Sequence, residues 1–118
     1  MAQVLYVDDE TDILELVEIH FADKAIPIVT ANSALEAEKL VSSHPIKVII
    51  SDARMPEIKG TELYLKLKRE KNYQGHFILV SGHIEPLAKE VTTQGVSIVL
   101  PKPIDFEELI GHVRRLLA

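Results

Sequence analysis

Short β-rich apolar runs alternate with helical patterns along the whole chain, and this alternation limits the possible folds more than any other feature. Gln3–Val7, Pro27–Thr30, Lys47–Ser51, Phe77–Ser81 and Ser97–Leu100 read as strands. Helical patterns follow each of them. Thr11–Lys24 sets Ile13, Leu14, Val17 and Phe21 on one face. Ser33 and Glu36 have the spacing of a capping box, opening a helix with Ala37, Leu40 and Val41 inward. A third helix runs from Thr61 with Leu63 and Leu67 on one side, and a weaker one spans Ile84–Gln94, where Pro86 fits only the first turn. Asp105 caps the last, which carries Phe106, Leu109, Ile110, Val113, Leu116 and Leu117 on one stripe. Val48-Ile49-Ile50 is apolar without a break, as a central strand covered on both faces requires. Short connections and strict alternation predict right-handed crossovers and an α/β fold with a parallel, doubly wound sheet.

The chain has 118 residues, enough for one domain and too few for two. No linker, repeat or low-complexity tract divides it, so residues 1–118 are expected to form one complete domain. Lysine plus arginine is 13 against 18 for aspartate plus glutamate, a formal charge of −5. That sign opposes a phosphate backbone, so no direct nucleic-acid binding is expected. The apolar runs are far shorter than a bilayer span, and the first residues lack a basic segment followed by a long apolar one. With no cysteine, thiol catalysis, thiolate metal sites and disulfides are excluded. The expectation is a cytoplasmic protein without membrane attachment.

In a sheet of this kind, ligands gather outside the carboxyl ends of the strands. Those ends carry Asp8-Asp9-Glu10, Asp52, Ser81-Gly82 and Pro101-Lys102-Pro103. Three aspartates brought together repel unless a cation intervenes. An all-oxygen site with few protein ligands suits magnesium, which also takes a phosphate oxygen. Lys102 is a mobile positive charge for a phosphoryl oxygen, Ser81 a hydroxyl donor, and Gly82 leaves its own N–H open to approach. An aspartate beside a cation is a feasible nucleophile toward phosphorus. The constellation is that of phosphoryl transfer with the protein itself as acceptor.

With these motifs in hand, the chain resembles the receiver (CheY-like) domains of two-component response regulators over essentially its full length. The resemblance rests on Val7-Asp8-Asp9-Glu10, Ser51-Asp52 with Met55-Pro56 and Gly60, Ser81-Gly82, and Lys102-Pro103, in that order. It implies a flavodoxin-like sheet of order 2-1-3-4-5 with five helices. It implies Asp52 as the phosphorylated residue, and Mg2+ held by Asp8, Asp9, Asp52 and the backbone carbonyl of Arg54. Lys102 contacts the phosphoryl group and Ser81 swings in to bond it. The Lys102-Pro103 peptide is commonly cis in such domains, and Gly60 supplies a backbone turn that a side chain would obstruct. The implied partners are a histidine kinase or phosphotransfer protein, and a downstream effector or a missing output domain. The state of the face made by helix 84–94, strand 97–100 and the last helix would be read by that effector or output domain. Such a domain is a phosphoacceptor with intrinsic autodephosphorylation rather than a turnover enzyme, and a monomer or weak homodimer.

Two positions depart from the family pattern. Val99 stands where receivers usually carry a tyrosine or phenylalanine coupled to the switch hydroxyl, so output is expected to rely on displacement of the loop after strand 4. Arg54 and His83 occupy the positions that tune hydrolysis, and both are bulky, so slow autodephosphorylation is expected. A phosphorylation-independent scaffold is the alternative, with Val99 its only sequence support. A magnesium phosphatase is disfavoured because Asp8-Asp9-Glu10 replaces the D-x-D arrangement of such enzymes, and a flavin site because no hydroxyl- and glycine-rich loop follows the first strand. The five histidines show no metal-ligand spacing; His20 reads as a packed residue.

Overall fold

The computed structural model describes residues 2–82 and 95–118. Its elements are β1 (Val4–Val7), α1 (Thr11–Asp23), β2 (Ile28–Ala31), α2 (Ala34–Ser43), β3 (Val48–Asp52), α3 (Gly60–Lys71), β4 (His76–Ser81), β5 (Ile98–Pro101) and α4 (Phe106–Leu117). Helix α4 is the fifth helix of the sequence reading. The predicted helix Ile84–Gln94 and the loop expected to move, Gly82–Leu87, lie outside the described residues, apart from Gly82. The five strands form one sheet of order β2-β1-β3-β4-β5, every pair parallel. This is the flavodoxin-like arrangement expected.

Pleating splits the core in two, because successive strand residues point to opposite faces. Val4, Tyr6, Val48, Ile50, Ile78 and Val80 meet Leu14, Val17 and Phe21 of α1 and Leu109, Ile110 and Val113 of α4. Leu5, Val7, Ile49, Phe77 and Leu79 meet Ala37 of α2 and Leu63, Tyr64 and Leu67 of α3. All five residues of β3 are buried, which explains its unbroken apolar run. Ile13, placed inward by the helical pattern, is only half-buried, as are Leu40 and Val41 of α2.

Strand boundaries shift by about one residue from the pattern, and one shift matters. Asp52 ends β3 rather than starting the following loop, because it stays in register with Val80. The caps also differ in detail. Ser33 Oγ accepts from the Glu36 N–H at 3.2 Å, while the Glu36 carboxylate accepts from Asn32 instead of returning to Ser33. Asp105 Oδ1 accepts from the Glu108 N–H at 3.2 Å, as expected of an N-cap. His20 stays exposed, with one ring face stacked on Phe106 at 4.0 Å. Among the described residues, no helix is long and apolar enough to cross a membrane.

Gly60 is needed for closeness rather than for an unusual backbone angle. A Cβ there would lie 2.6 Å from the Asp52 carbonyl oxygen and 2.6 Å from Leu79 Cδ2. The start of α3 therefore presses directly on the end of β3. The Gly60 N–H also donates to the Ala53 carbonyl at 3.0 Å, fixing that approach. Gly60→Ala should lower stability by about 1–3 kcal/mol, the usual cost of forcing a methyl group into filled space. Thermal unfolding checks this, and an unchanged midpoint would contradict it.

Candidate functional site

Every strand that carries a candidate residue ends on the same edge of the sheet, because all are parallel. Asp8 and Asp9 follow β1, Asp52 ends β3, Ser81 ends β4, and Lys102 follows β5. Carboxylate oxygens of Asp8, Asp9 and Asp52 lie within 4.8 Å of one another. Asp8 and Asp52 are buried and Asp9 is exposed, so the cluster opens to solvent on one side. Lys102 reaches in from β5, its Nζ 3.0 Å from Asp52 Oδ1.

Asp52 Oδ1 also accepts from the Arg54 N–H at 3.3 Å. Arg54 itself is exposed, on a loop tied back by an antiparallel bridge to Lys59. Asp8 Oδ1 accepts from the Glu10 N–H at 3.0 Å. Asp8 Oδ2 is buried without a hydrogen-bond partner among the described residues. Burying an unpaired carboxylate oxygen is costly, and a cation shared with Asp9 and Asp52 would remove that cost. The donor set, carboxylates with room for water on the exposed side, fits magnesium.

Burial is the largest influence on Asp8 and, with the nearby charges of Asp52 and Asp9, pushes its pKa up from 3.8 to about 6. The Glu10 N–H and Lys102 act the other way and do not overcome it. For Lys102, burial is again the largest single influence and lowers its pKa. Its hydrogen bond to Asp52 and the charges of Asp52, Asp8 and Glu10 together outweigh burial and hold it above its ordinary value. The lysine therefore stays charged beside the carboxylates.

Ser81 is buried, and its backbone carbonyl accepts from the Lys102 N–H at 3.0 Å, tying β4 to the lysine. The Lys102-Pro103 peptide is cis. A Cβ on Gly82 would meet nothing within 4 Å among the described residues. His83 lies outside the described residues. Val99 is half-buried against the cluster containing Tyr64 and Phe77, whose rings are 4.7 Å apart. Thus the strand ends bring together Asp8, Asp9, Asp52, Ser81 and Lys102, while Arg54 stands on the adjoining loop and Val99 sits lower in β5.

Beside the carboxylates opens a cleft of about 500 Å3 lined by Ile13, Leu16, Lys102, Ile104 and Phe106, with Asp8 and Glu10 at its polar end. The helical pattern of α1 places Ile13 inward, yet it also helps wall this cleft. Tyr6 is another residue that pattern alone reads only as core. Its signal in the sequence is a hydroxyl two residues before Asp8, on the same face of the strand.

A raised carboxylate pKa stabilises the protonated form of the folded, cation-free domain. Asp8 therefore contributes stability below its ordinary value of 3.8, and that contribution is lost as pH rises to about 6. Asp8→Asn should raise the stability of the cation-free domain at neutral pH by roughly 1–3 kcal/mol, with the advantage fading as the pH falls through this window. The same substitution should weaken magnesium binding. Thermal unfolding across pH, with and without the metal, checks both effects.

Comparison with known proteins agrees with this geometry. Residues 4–114 match the family described as response regulator receiver domain. The chain is 31% identical over 108 residues to transcriptional regulatory protein GlrR of Escherichia coli, covering 92% of this chain and 24% of that protein. It is 29% identical over 117 residues to response regulator SaeR of Staphylococcus aureus, covering 99% of this chain and 51% of that one. The chain thus spans only about a quarter to a half of these relatives' lengths. Among solved structures, chemotaxis protein CheY4 of Vibrio cholerae superposes with a TM-score of 0.88 at 28% identity, covering 98% of each chain. The receiver domain of Francisella response regulator 1452 gives 0.87 at 29% identity, covering 98% of this chain and 96% of that one. With the sheet order, the clustered aspartates and a family match over nearly its whole length, this chain belongs to the response regulator receiver domain family.

Proposed function

We propose that residues 1–118 form a phosphoacceptor domain of a two-component phosphorelay, with Asp52 taking a phosphoryl group from a histidine kinase or phosphotransfer protein. The observation that carries this reading is Asp52 Oδ1 3.0 Å from Lys102 Nζ, with Asp8 and Asp9 carboxylates within 4.8 Å. Asp8, Asp9, Asp52 and the Arg54 backbone carbonyl would hold Mg2+. When bound, that ion supplies positive charge to the phosphoryl oxygens and relieves repulsion among the carboxylates.

An Asp52 carboxylate oxygen bonds to phosphorus as the phosphorus–nitrogen bond of the donor phosphohistidine breaks. The histidine nitrogen leaves with the electron pair. Lys102 then holds a phosphoryl oxygen, and Ser81 turns to donate a hydrogen bond to another. The apolar walls of the neighbouring cleft, Ile13, Leu16, Ile104 and Phe106, offer a donor protein a surface next to Asp52. Output passes through the side of the domain that carries β5 and α4, to an effector or an output domain. The domain acts as a signalling switch, as a monomer or weak homodimer in the cytoplasm, rather than as a turnover enzyme.

Incubation with acetyl phosphate and magnesium, followed by intact mass, tests the chemistry. One phosphoryl adduct is expected on the wild type and none on Asp52→Asn. No adduct on a wild type that binds magnesium would favour the phosphorylation-independent scaffold and make Val99 the residue to pursue. Arg54 and His83, two residues after Asp52 and Ser81 in the sequence, are bulky at the positions that tune hydrolysis in the family and should hinder the water that hydrolyses the adduct. The double variant Arg54→Ala/His83→Ala should therefore lose its phosphoryl group several-fold faster than wild type in a decay time course.

A further inference from the structure

Tyr6 carries a buried hydroxyl into an otherwise apolar cluster. Tyr6 and Asp8 lie two residues apart on the chain through β1, so both side chains leave the same face. Tyr6 is in register with Ile50 of β3, and Asp52 follows Ile50 by two residues on that face. Two residues advance about 6.6 Å along a strand, close to the reach of a tyrosine side chain. A ring leaning along its strand therefore brings its hydroxyl toward the level of Asp8 and Asp52.

Tyr6 is fully buried, in the cluster with Leu14, Val17 and Leu109. Its hydroxyl has no hydrogen-bond partner among the described residues, and neither has Asp8 Oδ2. One is a donor and the other an acceptor. A phenylalanine would fill the same apolar space without leaving a buried hydroxyl unpaired. A phenol is an O–H donor at neutral pH.

We propose that Tyr6 is a positioning residue for the cation site, its hydroxyl donating, directly or through one water, to the Asp8 carboxylate when Asp8 is charged and holds the metal. The inference rests on the phosphoacceptor reading above, since it concerns the same cation. Tyr6 touches neither the phosphoryl group nor Asp52's reacting oxygen in this role. It sets the orientation of a ligand from behind, as groups bonded to metal ligands commonly do.

Calorimetric titration with magnesium chloride, thermal unfolding without metal, and tyrosine difference absorbance test this on wild type and Tyr6→Phe. The chain has three tyrosines and no tryptophan, so the absorbance signal belongs to tyrosine. Tyr6→Phe is expected to bind magnesium about tenfold more weakly, with no fall in its metal-free unfolding midpoint. The metal-induced tyrosine difference of the wild type should largely disappear. Equal affinity in the two proteins overturns the proposal and leaves the phosphoacceptor reading standing. A variant that does not fold, or whose metal-free midpoint drops, overturns it by showing that the hydroxyl serves the core. A wild type that binds no magnesium overturns that reading and this proposal together.

Discussion

Mutual repulsion among Asp8, Asp9 and Asp52, held within 4.8 Å of one another, is the constraint around which this domain is organised. Such a cluster persists only where the surrounding structure is rigid enough to hold it and supplies partial compensation. Lys102, 3.0 Å from Asp52, supplies part of that compensation, and backbone N–H groups of Glu10 and Arg54 supply more. None of these reaches Asp8 Oδ2. The site is therefore electrostatically incomplete by construction, a state suited to a cation.

Rigidity comes from the sheet. Parallel strands cannot be joined by tight turns, so β1, β2 and β3 each lead into a helix before the next strand, and helices on both faces bury the central strands β1 and β3 completely. The carboxyl ends of β1, β3, β4 and β5 are thereby fixed side by side, and short polar segments there can carry charge that the interior cannot. The close approach of Gly60 to the Asp52 carbonyl adds a direct mechanical link between Asp52 and α3. A change in the charge on Asp52 is thus applied at a point where strand and helix meet without intervening side chain.

Much of this was legible from residue order. Strand and helix periodicity indicated the alternation, and the motif residues at strand ends indicated where chemistry would gather. Boundaries were less accurate where register, not propensity, decides, as at Asp52, which pairs opposite Val80 and so remains in the strand. The capping pattern at Ser33 and Glu36 was readable, but not that the Glu36 carboxylate would turn to Asn32. His20 read as packed, yet it stays exposed and stacks its ring on Phe106 from the far end of the chain.

The amino-acid sequence by itself determined the fold class and which side chains are chemically able to act, because both follow from local periodicity and residue type. Tertiary structure decided how those side chains are poised. The Lys102–Asp52 pairing, the raised proton affinity of Asp8, the unpaired Tyr6 hydroxyl and the absence of space at Gly60 all arise between residues distant in sequence or from burial by the whole core. Distances of a few ångströms across strands depend on register and packing density, and no local pattern encodes them.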